Sequence, residues 1–139
     1  MFRERPQAFL SLPWKGPASP ELAAQIAAAL EQHGFEAVLP EGLGPTGPSP
    51  DRIQGAIRNS QVVVADVTGT NPNVLFEVGV ALGVGKPVLL LSQQPLEDVP
   101  FDLRALQIAV YRPDDLATVR RYVEMWLRDT IAQQTLASY

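Results

Sequence analysis

Residues 60–91 constrain the fold most, because this segment contains only three charged residues: Asp66, Glu77 and Lys86. Charged side chains are rarely buried without a partner, so a segment this poor in charge predicts the buried centre of a domain. The segment QVVVADV, which begins at Gln61, has the valine run of a strand that is covered on both faces. A chain built around such a strand needs helices on both sides of one sheet.

Strand-like and helix-like segments alternate along the rest of the chain. Ser-Pro pairs that begin at Ser19 and Ser49 each predict a helix start, with serine as the N-cap, and Asn71 is followed by proline in the same way. The predicted strands are residues 8–12, 35–39, 61–67, 87–91 and 108–111. The predicted helices are residues 21–33, 50–59 and 72–84, a short turn over 102–106, and a long helix from about residue 114.

This alternation predicts βαβ units and therefore a parallel sheet with right-handed crossovers. With five strands in 139 residues, we expect an α/β fold, a three-layer sandwich with the flavodoxin-like strand order 2-1-3-4-5. Residues 40–50 read PEGLGPTGPSP and are interpreted as a long surface loop, because the flanking pieces are too short to be separate domains. Residues 1–139 are therefore predicted to form a single domain.

The composition excludes several classes of function. Fifteen acidic and eleven basic residues give a net charge of −4, whereas proteins that bind nucleic acid are usually basic, so no nucleic-acid partner is expected. Cysteine is absent and His33 is the one histidine, so we expect no metal and no cofactor. No apolar run is long enough to span a membrane and the N-terminus lacks a signal-peptide pattern, so we expect a cytoplasmic protein without membrane contact.

Sheets of this kind bind ligands beyond the carboxyl ends of the strands, at the switch point between the first and third strands. Residues 11–16 and 66–73 lie there in the predicted order. Asp66 ends the third strand, and Glu77 lies in the second turn of the next helix, where side chains point back toward the N-terminus. Two carboxylates at one edge suit acid, base or nucleophilic chemistry, so both are candidate catalytic residues.

Both carboxylates also have a purely structural interpretation. Asp66 could cap the loop after its strand, as aspartates at strand ends often do. A capping role does not fit Glu77 in the second turn, so its burial points more strongly to function. Apolar neighbours should raise the pKa of Glu77, and the helix N-terminus should lower it. We expect the helix N-terminus, helped by amide donors, to keep Glu77 ionised near neutral pH.

Other residues at this edge are candidates for substrate binding. Trp14 could stack on a base, and Lys15 could bind an anionic group or simply lie at the solvated surface. Thr68 and Gly69 belong to a loop that lacks the spaced glycines and the lysine of a P-loop. The predicted substrate-binding residues are Ser11, Pro13, Trp14, Lys15, Thr68, Gly69, Asn71 and Asn73.

Residues 63–91, VVADVTGTNPNVLFEVGVALGVGKPVLLL, resemble the central segment of the nucleoside 2-deoxyribosyltransferase-like superfamily. The shared pattern is an aspartate that ends the third strand, followed by Asn-Pro-Asn-Val, Glu-x-Gly-x-Ala and Gly-Lys-Pro. Residues 99–111 resemble the stretch after the fourth strand in many members, and residues 11–13 occupy the place of the N-terminal substrate loop. Two positions depart from the pattern: residues 11–13 read Ser-Leu-Pro where transferases usually have Ala-Gly-Pro, and Asn71 replaces a frequent second carboxylate.

The resemblance implies an enzyme that cleaves or transfers an N-glycosidic bond of a nucleoside or nucleotide, or of NAD as in related TIR-type domains. Glu77 takes the position of the nucleophile, which attacks the anomeric carbon and forms a glycosyl-enzyme ester. The resemblance also implies that Asp66 binds sugar hydroxyls or assists protonation of the leaving base, and that Asn71 and Asn73 donate hydrogen bonds to the sugar. The alternative is a non-catalytic module of the same fold that binds or senses a nucleotide.

The predicted third helix is apolar on all sides apart from Glu77. Since the sheet covers one side, a second element has to cover the other. Gly79 and Gly83, four residues apart, would allow a close backbone approach or would pack on the sheet. The C-terminal helix adds further apolar residues at helical spacing. We therefore predict a homodimer or a higher homo-oligomer that uses the third helix.

Overall fold

The computed structural model describes residues 5–13, 19–40, 49–104 and 106–137. The strands are β1 (Gln7–Ser11), β2 (Glu36–Val38), β3 (Val62–Asp66), β4 (Val88–Ser92) and β5 (Gln107–Val110). They form one sheet in the order β2-β1-β3-β4-β5, and every neighbouring pair is parallel. The predicted strand order is confirmed. Residues 41–48, most of the predicted long loop, lie outside the described ranges.

The helices of the described part are α1 (Ser19–Gln32), α2 (Pro50–Asn59), α3 (Pro72–Gly83) and α4 (Leu116–Ala137). Ser49 caps α2 as predicted, because its Oγ accepts a hydrogen bond of 3.3 Å from the backbone N–H of Arg52. Single 3-10 turns cover Thr68–Thr70, Leu96–Asp98 and Phe101–Leu103. The first two of these turns were not predicted, and the third corresponds to the short turn predicted over residues 102–106. Within these ranges, no helix combines the length and apolar character needed to cross a bilayer.

Two hydrophobic cores lie on the two faces of the sheet, because successive strand residues point to opposite sides. Along β3, Val62 and Val64 pack in one core, and Val63 and Ala65 pack in the other. The first core contains residues of α1 and α4, and the second contains residues of α2 and α3. This arrangement is the predicted three-layer sandwich and explains why the valine run of β3 has no polar alternation.

The apolar residues of α4 are mostly satisfied within the chain. Val119, Val123, Trp126 and Leu127 are buried in the core that α4 shares with α1 and the sheet. Their number therefore does not require a second copy of the chain, since α1 covers the face that the sheet leaves open. These four residues therefore do not support a dimer, whereas Tyr122 and Met125 of the same helix leave 38% and 58% of their surface exposed.

Candidate functional site

The strand register brings the predicted site residues to one edge of the sheet. Ser11, the last residue of β1, pairs with Ala65 of β3, and Asp66 pairs with Leu91 of β4. The carboxyl ends of β1, β3 and β4 therefore meet at the switch point, next to the loop that leads into α3. This is the edge at which sheets of this type bind ligands.

Asn71 fixes the start of the helix that carries Glu77. Its Oδ1 accepts hydrogen bonds from the backbone N–H groups of Asn73 (2.9 Å) and Val74 (3.3 Å), as an N-cap does. Pro72 follows as the first helical residue. The predicted cap is confirmed, and Glu77 lies in the second turn, with only 4% of its surface exposed.

Glu77 and Ser11 are joined by a buried hydrogen bond. The Ser11 hydroxyl, at the end of β1, donates to Oε1 of Glu77 at 3.0 Å. The second carboxylate oxygen, Oε2, is buried and has no hydrogen-bond partner among the described residues. An unpaired buried polar atom costs about 1–3 kcal/mol, so such atoms are uncommon outside functional sites. The carboxylate thus has one oxygen held by Ser11 and one buried oxygen without a partner in the described part of the chain.

Burial controls the ionisation of this carboxyl group. Burial raises the pKa of Glu77 from 4.5 to about 7, and the hydrogen bond from Ser11 only partly opposes this shift. The expected net effect, a helix N-terminus and amide donors that keep Glu77 ionised near neutral pH, is opposite in direction to this shift. Desolvation of the buried carboxylate outweighs the hydrogen bond that it accepts from Ser11. Near pH 7 the protonated and ionised forms of Glu77 coexist.

Both carboxylate oxygens of Asp66 accept hydrogen bonds from residues at the same edge of the sheet. Its Oδ1 accepts from the Thr68 backbone N–H (2.9 Å) and hydroxyl (2.5 Å), and its Oδ2 accepts from the Tyr111 hydroxyl (2.6 Å). These are the loop-capping contacts that the structural interpretation of Asp66 predicted. Burial, together with the neighbouring Asp66, raises the pKa of Tyr111 well above its ordinary value.

Three residues at this edge were missed by the sequence analysis: Gln93, Gln94 and Tyr111. The Gln93 backbone N–H donates to the Thr68 hydroxyl at 3.0 Å, and its side-chain amide donates to the Tyr111 hydroxyl at 3.1 Å. Gln94 accepts at Oε1 from the Gly69 backbone N–H at 2.9 Å. Gln93 and Gln94 closely follow the predicted fourth strand, and Tyr111 is the last residue of the predicted fifth strand. The carboxyl-edge rule, applied to every strand, would therefore have found all three.

The loop after β3 has an unusual backbone. Gly69 has φ +74°, which glycine adopts easily, and Thr70 has φ +50°, which is uncommon for a residue with a β-branched side chain. Both lie between the contacts of Thr68 and the cap of Asn71, so the surrounding bonds hold this conformation. The loop of residues 68–71 is therefore held in one conformation next to α3, the helix that carries Glu77.

The other predicted substrate-binding residues differ in whether the structure describes them and in how exposed they are. Trp14 and Lys15 lie outside the described ranges. Asn73 is exposed, and Pro13 is half-buried after β1. Ser11 is fully buried, and its hydroxyl is directed at Glu77. Within the described part of the chain, no group of three histidine, aspartate or glutamate side chains is placed to hold a metal ion.

Three solved structures are similar to this chain. The CMP N-glycosidase BcmB of Clostridium botulinum has a TM-score of 0.60 and 21% identity, and the match covers 84% of this chain and 98% of that one. A 2-deoxyribosyltransferase from the psychrotolerant Bacillus psychrosaccharolyticus has a TM-score of 0.58 and 15% identity, over 82% and 90% of the two chains. The molybdenum cofactor binding protein from the phototrophic bacterium Rippkaea orientalis has a TM-score of 0.54 and 19% identity, over 86% and 98%.

A comparison of the sequence with protein-family models gives no match, and a comparison with curated proteins gives none either. The likeness to solved structures is one of fold, because all three identities are low. The chain has the nucleoside 2-deoxyribosyltransferase-like fold, and the fold implied by the resemblance of residues 63–91 is confirmed.

Proposed function

We propose that this protein cleaves or transfers the N-glycosidic bond of a nucleoside, a nucleotide or an NAD-like molecule, with Glu77 as the nucleophile. The observation that carries the proposal is the buried carboxylate of Glu77, which has one oxygen bonded to Ser11 and the other without a partner among the described residues. It lies on a helix that starts at the ligand-binding edge of the sheet.

Two of the similar structures support this class of chemistry. One is a CMP N-glycosidase and the other is a 2-deoxyribosyltransferase, so the same fold holds sites that act on the bond between a sugar and a base. Both match most of this chain and nearly all of their own length. The third, a molybdenum cofactor binding protein, is the reason to keep a non-catalytic ligand-binding module as the alternative.

In the proposed mechanism, Oε2 of Glu77 attacks the anomeric carbon while the bond from that carbon to the base nitrogen breaks. The base leaves with the bonding electrons and takes up a proton from water. The transition state resembles an oxocarbenium ion, and a buried carboxylate stabilises its positive charge strongly because water does not screen it. Water or a second base then displaces the carboxylate from the glycosyl ester, which restores Glu77.

Asp66 serves this mechanism by ordering the loop beside the site. Both of its oxygens already accept hydrogen bonds from Thr68 and Tyr111, which suits a loop anchor better than a proton donor. Asn71 has its amide oxygen in the helix cap, so only its amide nitrogen is left to donate to a sugar hydroxyl. Asn73, which is exposed at the same helix start, is the second candidate donor.

The test is to incubate the protein with deoxynucleosides, ribonucleosides, their 5′-monophosphates and NAD, and to detect free base by chromatography. An enzyme releases base from at least one of them, and Glu77→Gln abolishes the release. Intact-mass measurement after rapid acid quenching should show the glycosyl ester on the wild-type protein only. If neither form releases base although both bind a nucleotide, the protein is a binding module and the proposal is wrong.

We also propose that the protein is a homodimer formed through α3. Phe76 and Leu82 leave 47% and 39% of their surface exposed on this helix. A Cβ added at Gly79 or Gly83 would meet nothing within 4 Å outside its own stretch of helix in the described part of the chain, so neither glycine packs on the sheet. The outward face of α3 therefore combines exposed apolar side chains with two positions where a second backbone can approach closely, which suits a two-fold contact.

A further inference from the structure

We infer that Ser11 is a positioning residue for Glu77: its hydroxyl holds Oε1 and leaves Oε2 as the attacking oxygen. This inference deepens the proposed function and rests on it. It also changes the role of Ser11, which the sequence analysis placed among the substrate-binding residues. Ser11 is fully buried, and its hydroxyl already donates to the Glu77 carboxylate, so its contact is with the nucleophile.

The position of Ser11 is rigid. It is the last residue of β1, which lies between β2 and β3, and its Cα is in register with Ala65. A serine hydroxyl is one bond from Cβ, so a fixed backbone leaves it only a few rotamers. A donor held in this way restrains the carboxylate that accepts from it, because turning the Glu77 carboxylate would break the bond of 3.0 Å.

Two other buried serines donate a different kind of hydrogen bond from the one that Ser11 donates to Glu77. Ser11, Ser60 and Ser92 are all 0% exposed. Ser60 donates to the backbone oxygen of Ala56 at 2.7 Å, and Ser92 donates to that of Gln94 at 3.0 Å. Both are local contacts that close a helix end or a turn. Ser11 instead donates to a carboxylate 66 residues away.

A hydroxyl at this point also supports the ionised form of the nucleophile. A hydrogen bond donated to a carboxylate stabilises its charge, and the bond from Ser11 lowers the pKa of Glu77 against the opposite effect of burial. Without the hydroxyl, both oxygens of a buried carboxylate would lack a partner among the described residues. Ser11 therefore acts on the reaction through Glu77, and a change there should alter turnover rather than binding.

The experiment compares Ser11→Ala with Ser11→Thr, which keeps the hydroxyl, and with Ser60→Ala. The last is a matched control, because it removes a buried serine hydroxyl that bonds to the backbone oxygen of Ala56 and not to Glu77. Thermal melts first establish that each variant folds. Base release is then measured against pH for kcat and KM. In the free proteins, the Glu77 carboxyl is titrated by infrared difference spectroscopy, with Glu77→Gln as the reference.

For Ser11→Ala we expect kcat at pH 7 to fall about tenfold or more, the loss expected for a hydrogen bond to a charged group, with KM nearly unchanged. Two midpoints should move to higher pH in this variant. One is the pH at which kcat rises to half its maximum, and the other is the pH at which the infrared signal shows Glu77 half ionised. Ser11→Thr should restore much of the rate, and Ser60→Ala should behave as wild type. A rise in KM alone would show that Ser11 binds substrate, and an unchanged profile would show that it has no role; either result overturns the inference.

The failure of the proposed function is a separate outcome. If the wild-type protein releases no base from any compound, Glu77 is not a nucleophile and the catalytic part of the inference falls with it. The infrared midpoints do not depend on turnover. An unmoved midpoint in Ser11→Ala would therefore overturn the control of Glu77 by Ser11 even in a protein that is an active enzyme.

Discussion

The hydroxyl of Tyr111 donates a hydrogen bond of 2.6 Å to Oδ2 of Asp66, and it thereby links the end of β5 to the end of β3 across β4. Both residues are buried. Gln93 donates to the same hydroxyl at 3.1 Å and to Thr68 through its backbone. The three strand ends and the loop before α3 therefore form one connected polar network beneath the site.

Removing the Tyr111 hydroxyl should loosen this network. Tyr111→Phe takes a donor from a buried carboxylate, so we expect the free energy of unfolding to fall by roughly 1.5–3 kcal/mol. Urea denaturation measures the change. Tyr122→Phe is the matched control, because Tyr122 is 38% exposed on α4, and substitutions at exposed positions usually alter stability by less than about 0.5 kcal/mol. Equal effects of the two variants would contradict the role of Tyr111.

The raised pKa of Glu77 predicts a specific pH dependence of stability. The pKa is about 7 in the folded protein and 4.5 for an unperturbed glutamate, so the folded state binds more protons than the unfolded state between these values. Stability contributed by this group is therefore present below pH 4.5 and lost as the pH rises to about 7. Glu77→Gln removes this dependence. As the pH rises over this range, the free energy of unfolding of the variant should therefore increase relative to that of wild type by up to roughly 3 kcal/mol.

Urea denaturation of wild type and Glu77→Gln at a series of pH values measures this difference. Asp51→Asn is a suitable control, because Asp51 is exposed in the first turn of α2. A constant difference between wild type and Glu77→Gln across the range would show that burial does not raise this pKa.

The same pKa sets the pH dependence of the proposed reaction. Only the ionised carboxylate can attack the anomeric carbon, so base release should increase with pH and level off above a pKa of about 7. Glu77→Gln should lower kcat by at least about a thousandfold while a nucleotide still binds. Initial rates from pH 5 to 9 test the profile. A rate that is already maximal at pH 5 would show that the nucleophile is not a group with the pKa of Glu77.

The proposed dimer predicts the effect of charge on α3. Leu82→Arg places a cation on the exposed apolar face of this helix, so it should convert the dimer to a monomer of 15.1 kDa without a large loss of stability. Light scattering after size exclusion measures the mass. Met125→Arg is the matched control, because Met125 is 58% exposed on α4, away from α3, and its variant should keep the wild-type mass. A wild-type protein that is monomeric at micromolar concentration rules out the dimer.

The sequence by itself determined the features that depend on local patterns. The valine run around Val63 placed β3 at the centre, because alternation is absent only when both faces are covered. Asn71 followed by proline gave the start of α3 and hence the turn that holds Glu77, since a helix cap involves only the next few backbone N–H groups. The parallel pairing followed from the alternation of strands and helices, and the strand order followed from the flavodoxin-like pattern expected for five strands in a chain of this size.

Only the tertiary structure decided which side chains meet. Ser11 and Glu77 are 66 residues apart, and Asp66 and Tyr111 are 45 apart. Their contacts depend on register and side-chain direction to within about an ångström, whereas a hydrophobic pattern specifies only which face is buried. The ionisation of Glu77 was decided in the same way. It depends on the balance between desolvation and one hydrogen bond, and that balance exists only after the chain has folded around the carboxylate.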